Sequence, residues 1–193
     1  MGIYLYDIEN RLIEHGDVEE RLAWYIHGEA KEQTFIRLFG EQLNIITNPE
    51  KYTNPAAIDL YQPETRLLID LKTANTPFFT SERNYGIPPR FAVTLNQIDV
   101  ERYQNLYPDM TLYFWVDWIA IRYVSTSARY GNTEIIIDPL HGVWSISLQQ
   151  VLTIIQNERP PLHPYGNRRN DQRGNARYSY VLDLRHPNFE QLL

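Results

Sequence analysis

The sequence predicts an α/β (α+β) fold in which helices flank a mixed central β-sheet. Three observations lead there: a helix-spaced apolar stripe over 17–43, a pair of apolar strand-like runs at 57–61 and 66–71, and further helical and strand-like stretches alternating after them. With 193 residues, 43% of them hydrophobic, the chain can bury one sizeable core but is short for two, so residues 1–193 are expected to form a single domain.

Leu22, Tyr25, Ile36, Phe39 and Leu43 share a helical face, with Asp17 as the expected cap and Gly28 as a point of interruption. Residues 44–47 read as a short strand. Gln62, Pro63, Glu64 and Thr65 then separate the two apolar runs and suit a tight antiparallel connection, making a hairpin. Pro77, Gly86, Pro88 and Pro89 mark 75–90 as a long loop. Asn96 is placed to cap a helix carrying Val100, Tyr103 and Tyr107 on one face, closed by Pro108. Residues 112–124, rich in aromatic and β-branched side chains, read as one inner strand, and 134–137 as another. Ser147 with Gln150 resembles a capping box for a helix that buries Leu148, Val151, Leu152 and Ile155 and stops at Pro160 and Pro161. The segment 163–177, rich in Arg, Asn and Gly, reads as an exposed loop before a last strand over 178–184.

Composition removes several classes of function. The chain has no cysteine, so disulfides, thiolate nucleophiles and cysteine-held metals are excluded. His15, His27, His141, His163 and His186 stand apart, without the short paired spacing of a zinc helix. Neither a G-x-S-x-G elbow nor a glycine-rich phosphate loop with its lysine occurs. No run approaches the roughly 20 apolar residues of a membrane span, and the acidic N-terminal stretch is unlike a signal peptide, so no membrane partner and a cytoplasmic location are expected. The net charge of −6 opposes nucleic-acid binding, but its distribution is uneven: residues 161–193 carry five arginines against three acids, a net of +2, while the rest carries −8.

The chemistry-bearing pattern lies in the hairpin. Side chains alternate across a strand, so Leu67, Ile69 and Leu71 share one face while Leu68, Asp70 and Lys72 share the other. The chain uses 15 arginines but only three lysines, Lys31, Lys51 and Lys72, which makes a lysine beside that acid notable. A hairpin closing symmetrically around 63–66 sets Tyr61 opposite Leu68 and Asp59 opposite Asp70. Two carboxylates so placed repel unless a positive charge lies between them, and a divalent cation with oxygen ligands is a natural occupant.

Asp59, Asp70-Leu71-Lys72 and a preceding helix able to supply a glutamate together resemble the PD-(D/E)xK, or restriction-endonuclease-like, nuclease superfamily. The resemblance spans roughly 17–124, with the helix-to-strand segment 96–118 similar to the core that follows the motif. It implies that Asp59 and Asp70 are metal ligands and that Lys72 positions or activates the attacking water. Glu32, or alternatively Glu29 on the same stripe, would be the helical acid, Glu32 being favoured because it precedes Ile36 by one turn. Ile58 stands where the motif has its proline. Gln97 and Tyr103 are similar to the glutamine and tyrosine of a RecB-like subgroup, at a different spacing.

The function expected from this resemblance is a Mg2+-dependent deoxyribonuclease of restriction, phage or repair type, with Mn2+ as a substitute ion, DNA as partner and a homodimer as the assembly. Arg168, Arg169, Arg173 and Arg177 would grip phosphates. Two other classes stand beside it: a catalytically inactive DNA-binding or assembly module of the same fold, and a structural or interaction protein of a virus or mobile element. Tyr113, Trp115, Trp118 and Tyr123 are expected in the core rather than as base-stacking platforms.

Overall fold

The computed structural model describes residues 2–13, 21–54, 57–127, 131–165 and 176–193; of residues 21–30, 127 and 131 it describes the backbone alone. The architecture is mixed α/β. Its centre is a six-stranded mixed sheet, ordered β13-β10-β7-β5-β4-β3, made from β3 (Ile46–Thr47), β4 (Leu60–Gln62), β5 (Leu67–Ala74), β7 (Thr111–Asp117), β10 (His141–Ser147) and β13 (Glu190–Gln191). Only the β5 and β7 pair is parallel; the other neighbours in this sheet run antiparallel.

Alternation along the inner strands sorts the core into two layers. Helix α1 (Arg21–Leu43) places Phe35, Ile36, Phe39 and Leu43 on one face of the sheet, against Leu60, Ile69, Leu71, Tyr113 and Val143. Helices α3 (Gln97–Leu106) and α4 (Leu148–Asn157) cover the other face, with Val100, Tyr103, Leu148, Val151 and Ile154 against Leu112, Phe114, Val116, Trp144 and Ile146. The period of two thus separates Leu67, Ile69 and Leu71 from Leu68 and Ala74, as the sequence predicts.

A three-stranded sheet of β6 (Ala92–Asn96), β12 (Tyr178–Asp183) and β11 (Leu162–Pro164) adds Val93, Leu95 and Leu182 to the α3 and α4 layer. A further antiparallel sheet joins β1 (Ile3–Tyr6), β2 (Leu12–Ile13), β8 (Arg122–Ser127) and β9 (Gly131–Ile136). Leu5, Phe79, Ala120 and Tyr123 form its small core.

Several expectations need correction. Residues 112–124 are not one strand: β7 ends at Asp117, and the chain resumes as β8 in a different sheet. The mostly apolar run concealed this change of sheet because both pieces bury aromatic residues. The stretch 75–90 holds a short helix, α2 (Ser81–Tyr85), ended by Gly86 in the left-handed conformation that glycine adopts without a Cβ clash. Gly28 does not interrupt α1, and Asp17 lies outside the described residues. The segment 163–177 opens in strand β11 rather than in a loop, and its 166–175 portion lies outside the described residues. Strands β1, β2, β6, β10 and β13 had no counterpart in the sequence reading.

Other expectations agree with the structure. Ser147 and Gln150 form a reciprocal capping box at α4. Tyr61 pairs with Leu68, the register expected of the hairpin. Tyr113, Trp118 and Tyr123 are buried, and Trp115 packs against Phe35 and Phe39. Among the described residues no helix is long and apolar enough to cross a membrane.

Candidate active site

The site forms where β5 outruns its neighbour. Strand β4 pairs only with Leu67–Ile69 of β5, whereas β7 accompanies β5 from Ile69 to Ala74. Beyond Ile69 the β4 side of the strand is therefore left to side chains. Asp59, one residue before β4, fills the first place there: its Oδ2 accepts the Leu71 backbone N–H at 3.0 Å.

The position of Asp59 is held by Asn48, a buried residue. The Asn48 backbone N–H donates to Asp59 O at 3.0 Å, and its side-chain amide donates to Ile58 O at 2.9 Å. Asn48 also caps the following 3-10 turn, Pro49–Tyr52, by accepting Glu50 N–H. One polar side chain thereby fixes both the segment that carries Asp59 and the turn that carries Lys51.

Lys51 is the cation at this end of the site. Its Nζ lies 2.7 Å from both carboxylate oxygens of Glu32, on α1, and 2.8 Å from Asp59 Oδ1. Burial and the neighbouring Asp59 charge push the Glu32 carboxyl up to about 7, against the opposing pull of Lys51. Burial alone would lower Lys51, but its hydrogen bonds to Asp59 and Glu32 raise it, so the ammonium stays charged.

Asp70 and Lys72 occupy the adjoining space toward α3. Asp70 is 5% exposed, and Lys72 Nζ lies 2.9 Å from its Oδ2. That contact is an ion pair without hydrogen-bond alignment, so the buried Oδ2 has no directed hydrogen bond. Burial raises the Asp70 carboxyl; Lys72 opposes the rise and Asp59 adds to it. Lys72 donates to Asp99 Oδ2 at 3.0 Å and to the Tyr103 hydroxyl at 2.9 Å. Burial works against the Lys72 charge, but Asp70, Tyr103 and Asp99 outweigh it and keep the ammonium protonated far into alkaline conditions.

A polar chain continues from there. Asn96 donates to Asp99 at 3.2 Å, the fully buried Ser179 donates to Asn96 Oδ1 at 2.8 Å, and the Tyr165 hydroxyl meets Ser179 at 3.1 Å. Arg102 completes the cluster, 3.1 Å from the Tyr103 hydroxyl and 3.6 Å from Asp99.

Of the residues singled out in the sequence, Glu32, Asp59, Asp70 and Lys72 therefore meet at one end of the sheet. They do so in two linked halves, because Asp59 turns to Lys51 while Lys72 serves Asp70. Among the described residues, no three acidic or histidine side chains are arranged to share one metal ion. The Glu29 side chain, Arg168, Arg169 and Arg173 lie outside what is described, and Arg177 is exposed beside the start of β12. Sequence reasoning missed Lys51, Asp99 and Asn96 as partners. The scarcity of lysine that drew notice to Lys72 applied equally to Lys51, since two of the three lysines sit in this cluster.

Comparison of the chain with protein-family models, with curated proteins and with solved structures finds no match.

Proposed function

We propose that the chain is a metal-dependent endonuclease that hydrolyses DNA phosphodiester bonds, on a restriction-endonuclease-like sheet of the PD-(D/E)xK type. The reading is carried by the meeting of Glu32, Asp59, Asp70 and Lys72, drawn from a helix and both arms of a hairpin, where β5 outruns β4. A helix before the hairpin and a helix leading into a parallel strand after it add support. Burying this many charges is a poor way to stabilise a fold, since desolvation offsets most of the attraction. Such clusters gather instead where chemistry is done.

The donors suit a hard divalent ion. They are carboxylate oxygens, and Glu32 and Asp59 already hold a cation, the Lys51 ammonium, between them. Asp59, Asp70 and Glu32 would hold Mg2+, or Mn2+ in its place, only on rearranging, since as they stand no three of the described acids converge on one ion. When bound, such an ion lowers the pKa of a coordinated water and offsets charge developing on phosphate oxygens.

Lys72, kept protonated by Asp70 and Asp99, orients a nucleophile or steadies phosphate charge rather than abstracting a proton. Tyr103 and Asp99 fix the direction of its ammonium. Arg177 borders the arginine-rich segment, which with Arg168, Arg169 and Arg173 is proposed to contact the DNA backbone. A duplex cut needs two such sites, which favours a homodimer acting in the cytoplasm.

One observation favours a second reading, a DNA-binding module without catalysis: the ammonium of Lys51 already compensates Glu32 and Asp59. Incubating the purified protein with duplex DNA and Mg2+ or Mn2+ separates the two. Cleavage that disappears in Asp70→Asn and Lys72→Ala supports the nuclease. Salt-dependent DNA binding with no cutting under either ion supports the module, and no binding at any salt overturns both.

A further inference from the structure

Four aromatic side chains gather where the polar chain that starts at Lys72 reaches Tyr165. His163, on β11, has the rings of Phe78, Tyr165 and Tyr85 around it at centroid distances of 4.8, 5.0 and 6.0 Å, and Phe78 lies 5.8 Å from Tyr85. Each of these contacts is edge-on, with planes inclined by 64–85°, so no two of these rings are stacked face to face. All four residues are half-buried, whereas Phe79, next to Phe78, is 5% exposed and stacks on Tyr123 in the core. One phenylalanine packs, and its neighbour stays within reach of water.

The rings are held in place from below. Ser81, fully buried, donates its backbone N–H to Phe78 O at 2.8 Å and its hydroxyl to Ile87 O at 2.7 Å, closing the segment that carries Phe78 and Tyr85. The Tyr85 hydroxyl meets His163 Nδ1 at 2.8 Å, and burial holds the imidazole below its ordinary value, so the ring is neutral near pH 7. Strand register sets His163 beside Ser179 and Ser179 beside Asn96, so these three side chains share one face and lead in a row to Asp99 and Lys72. Two strand spacings, roughly 10 Å, separate His163 from Asn96. The same register carried one residue further sets the exposed Arg177 opposite Tyr165, whose N–H donates to Arg177 O at 3.0 Å.

We infer that Phe78, Tyr85, His163 and Tyr165 form a stacking platform for an unpaired DNA base, with Arg177 placed for the phosphate of the same strand. The inference rests on the nuclease reading for the fate of that strand and narrows its substrate to DNA with unpaired bases beside the cut. Partly exposed rings with preset directions lose little freedom when a planar base settles on them. Every base offers a π-face, so such a platform takes a strand without reading its sequence. A guanidinium beside the rings supplies local positive charge for the backbone in a protein whose net charge is −6. The row from His163 to Asn96 is short enough for neighbouring nucleotides of one strand to touch the rings and reach Lys72.

Fluorescence anisotropy with a labelled single-stranded oligonucleotide, in EDTA so that nothing is cut, tests this against two further probes: an abasic strand with the same phosphates, and a duplex of the same length. The unaltered protein should bind the base-bearing strand at least about fivefold more tightly than either, the low end for one base on one ring. Phe78→Leu and Tyr85→Leu, each shown to be folded by circular dichroism, should lose most of that preference. Arg177→Gln should weaken the base-bearing and abasic strands alike and flatten the salt dependence. Ultraviolet crosslinking of a bromodeoxyuridine strand, read by mass spectrometry on the unaltered protein, gives a second measurement and should mark at least one of the four rings. Equal affinity for base-bearing and abasic strands, a preference for duplex, no binding of any probe, a preference that survives both leucine variants, or crosslinks confined to other residues overturns the inference. Mg2+-dependent cleavage of duplex with no preference for unpaired bases would sink the platform and leave the nuclease standing. Ring-dependent binding without cleavage under Mg2+ or Mn2+ would do the reverse.

Discussion

Asp59 accepts the backbone N–H of Leu71 through Oδ2 while its Oδ1 holds Lys51, so a single carboxylate extends the β4 edge of the sheet and anchors the cation turn. The strand that would have received the Leu71 N–H begins only at Leu60, opposite Ile69, and does not reach it. Without Asp59 that amide would lose its partner inside the molecule, and such groups are costly to leave unpaired.

Asp59→Ala should therefore cost roughly 2 kcal/mol in urea unfolding, combining a lost backbone acceptor with a lysine whose partner is halved. Asp59→Asn keeps an oxygen for Leu71 and gives up only the charge, so its cost should be about half as large. Equal losses in the two variants would show that the Leu71 bond contributes nothing.

How much of this was legible in the sequence depended on the range of each interaction. The hairpin register followed from a short turn and from alternation, both local, but the ladder stops at Leu60 and Ile69, so Asp59 is not paired with Asp70 as expected and bonds the Leu71 N–H instead. The α4 cap followed from Ser147 and Gln150, three residues apart. Lys51 was not legible as a partner because its place depends on Asn48 bonding back to residues 58 and 59 across a turn. Asp99 reaches Lys72 from a helix 27 residues later, and no spacing rule links the two. The split of 112–124 between two sheets was hidden for a similar reason: both halves satisfy the same strand pattern, and only pairing partners distinguish them.

Glu32 brings a pH dependence whose direction is fixed. Its carboxyl titrates near 7 in the folded protein against an ordinary value of 4.5. Between those values the folded protein holds a proton that the unfolded chain has released. Stability from this group is thus complete below about 4.5, falls as pH rises, and is gone above about 7. Urea midpoints across that window should fall for the unaltered protein and fall less for Glu32→Gln, with the residual slope coming from the raised carboxyl of Asp70. Parallel slopes in the two proteins would place the titration elsewhere.

Asp70 and Lys72 should show strong energetic coupling, which separates a functional pair from a fold requirement. Lys72→Met leaves the Asp70 carboxylate buried at 5% exposure with its cation gone, at a cost of about 3 kcal/mol or more. Asp70→Asn removes one of three partners of the ammonium, which keeps Asp99 and Tyr103, so this variant should lose less. The double variant Asp70→Asn/Lys72→Met has neither an unpaired acid nor an unpaired base between these positions. Its loss should fall short of the sum of the single losses by at least about 1 kcal/mol. If that double variant recovers stability yet remains unable to cut DNA that the unaltered protein cuts, the pair serves the reaction rather than the fold. A double variant as unstable as the sum of its parts would mean that Lys72 is held for Asp99 and Tyr103 alone, and Asp70 would lose its place beside it in the proposed site.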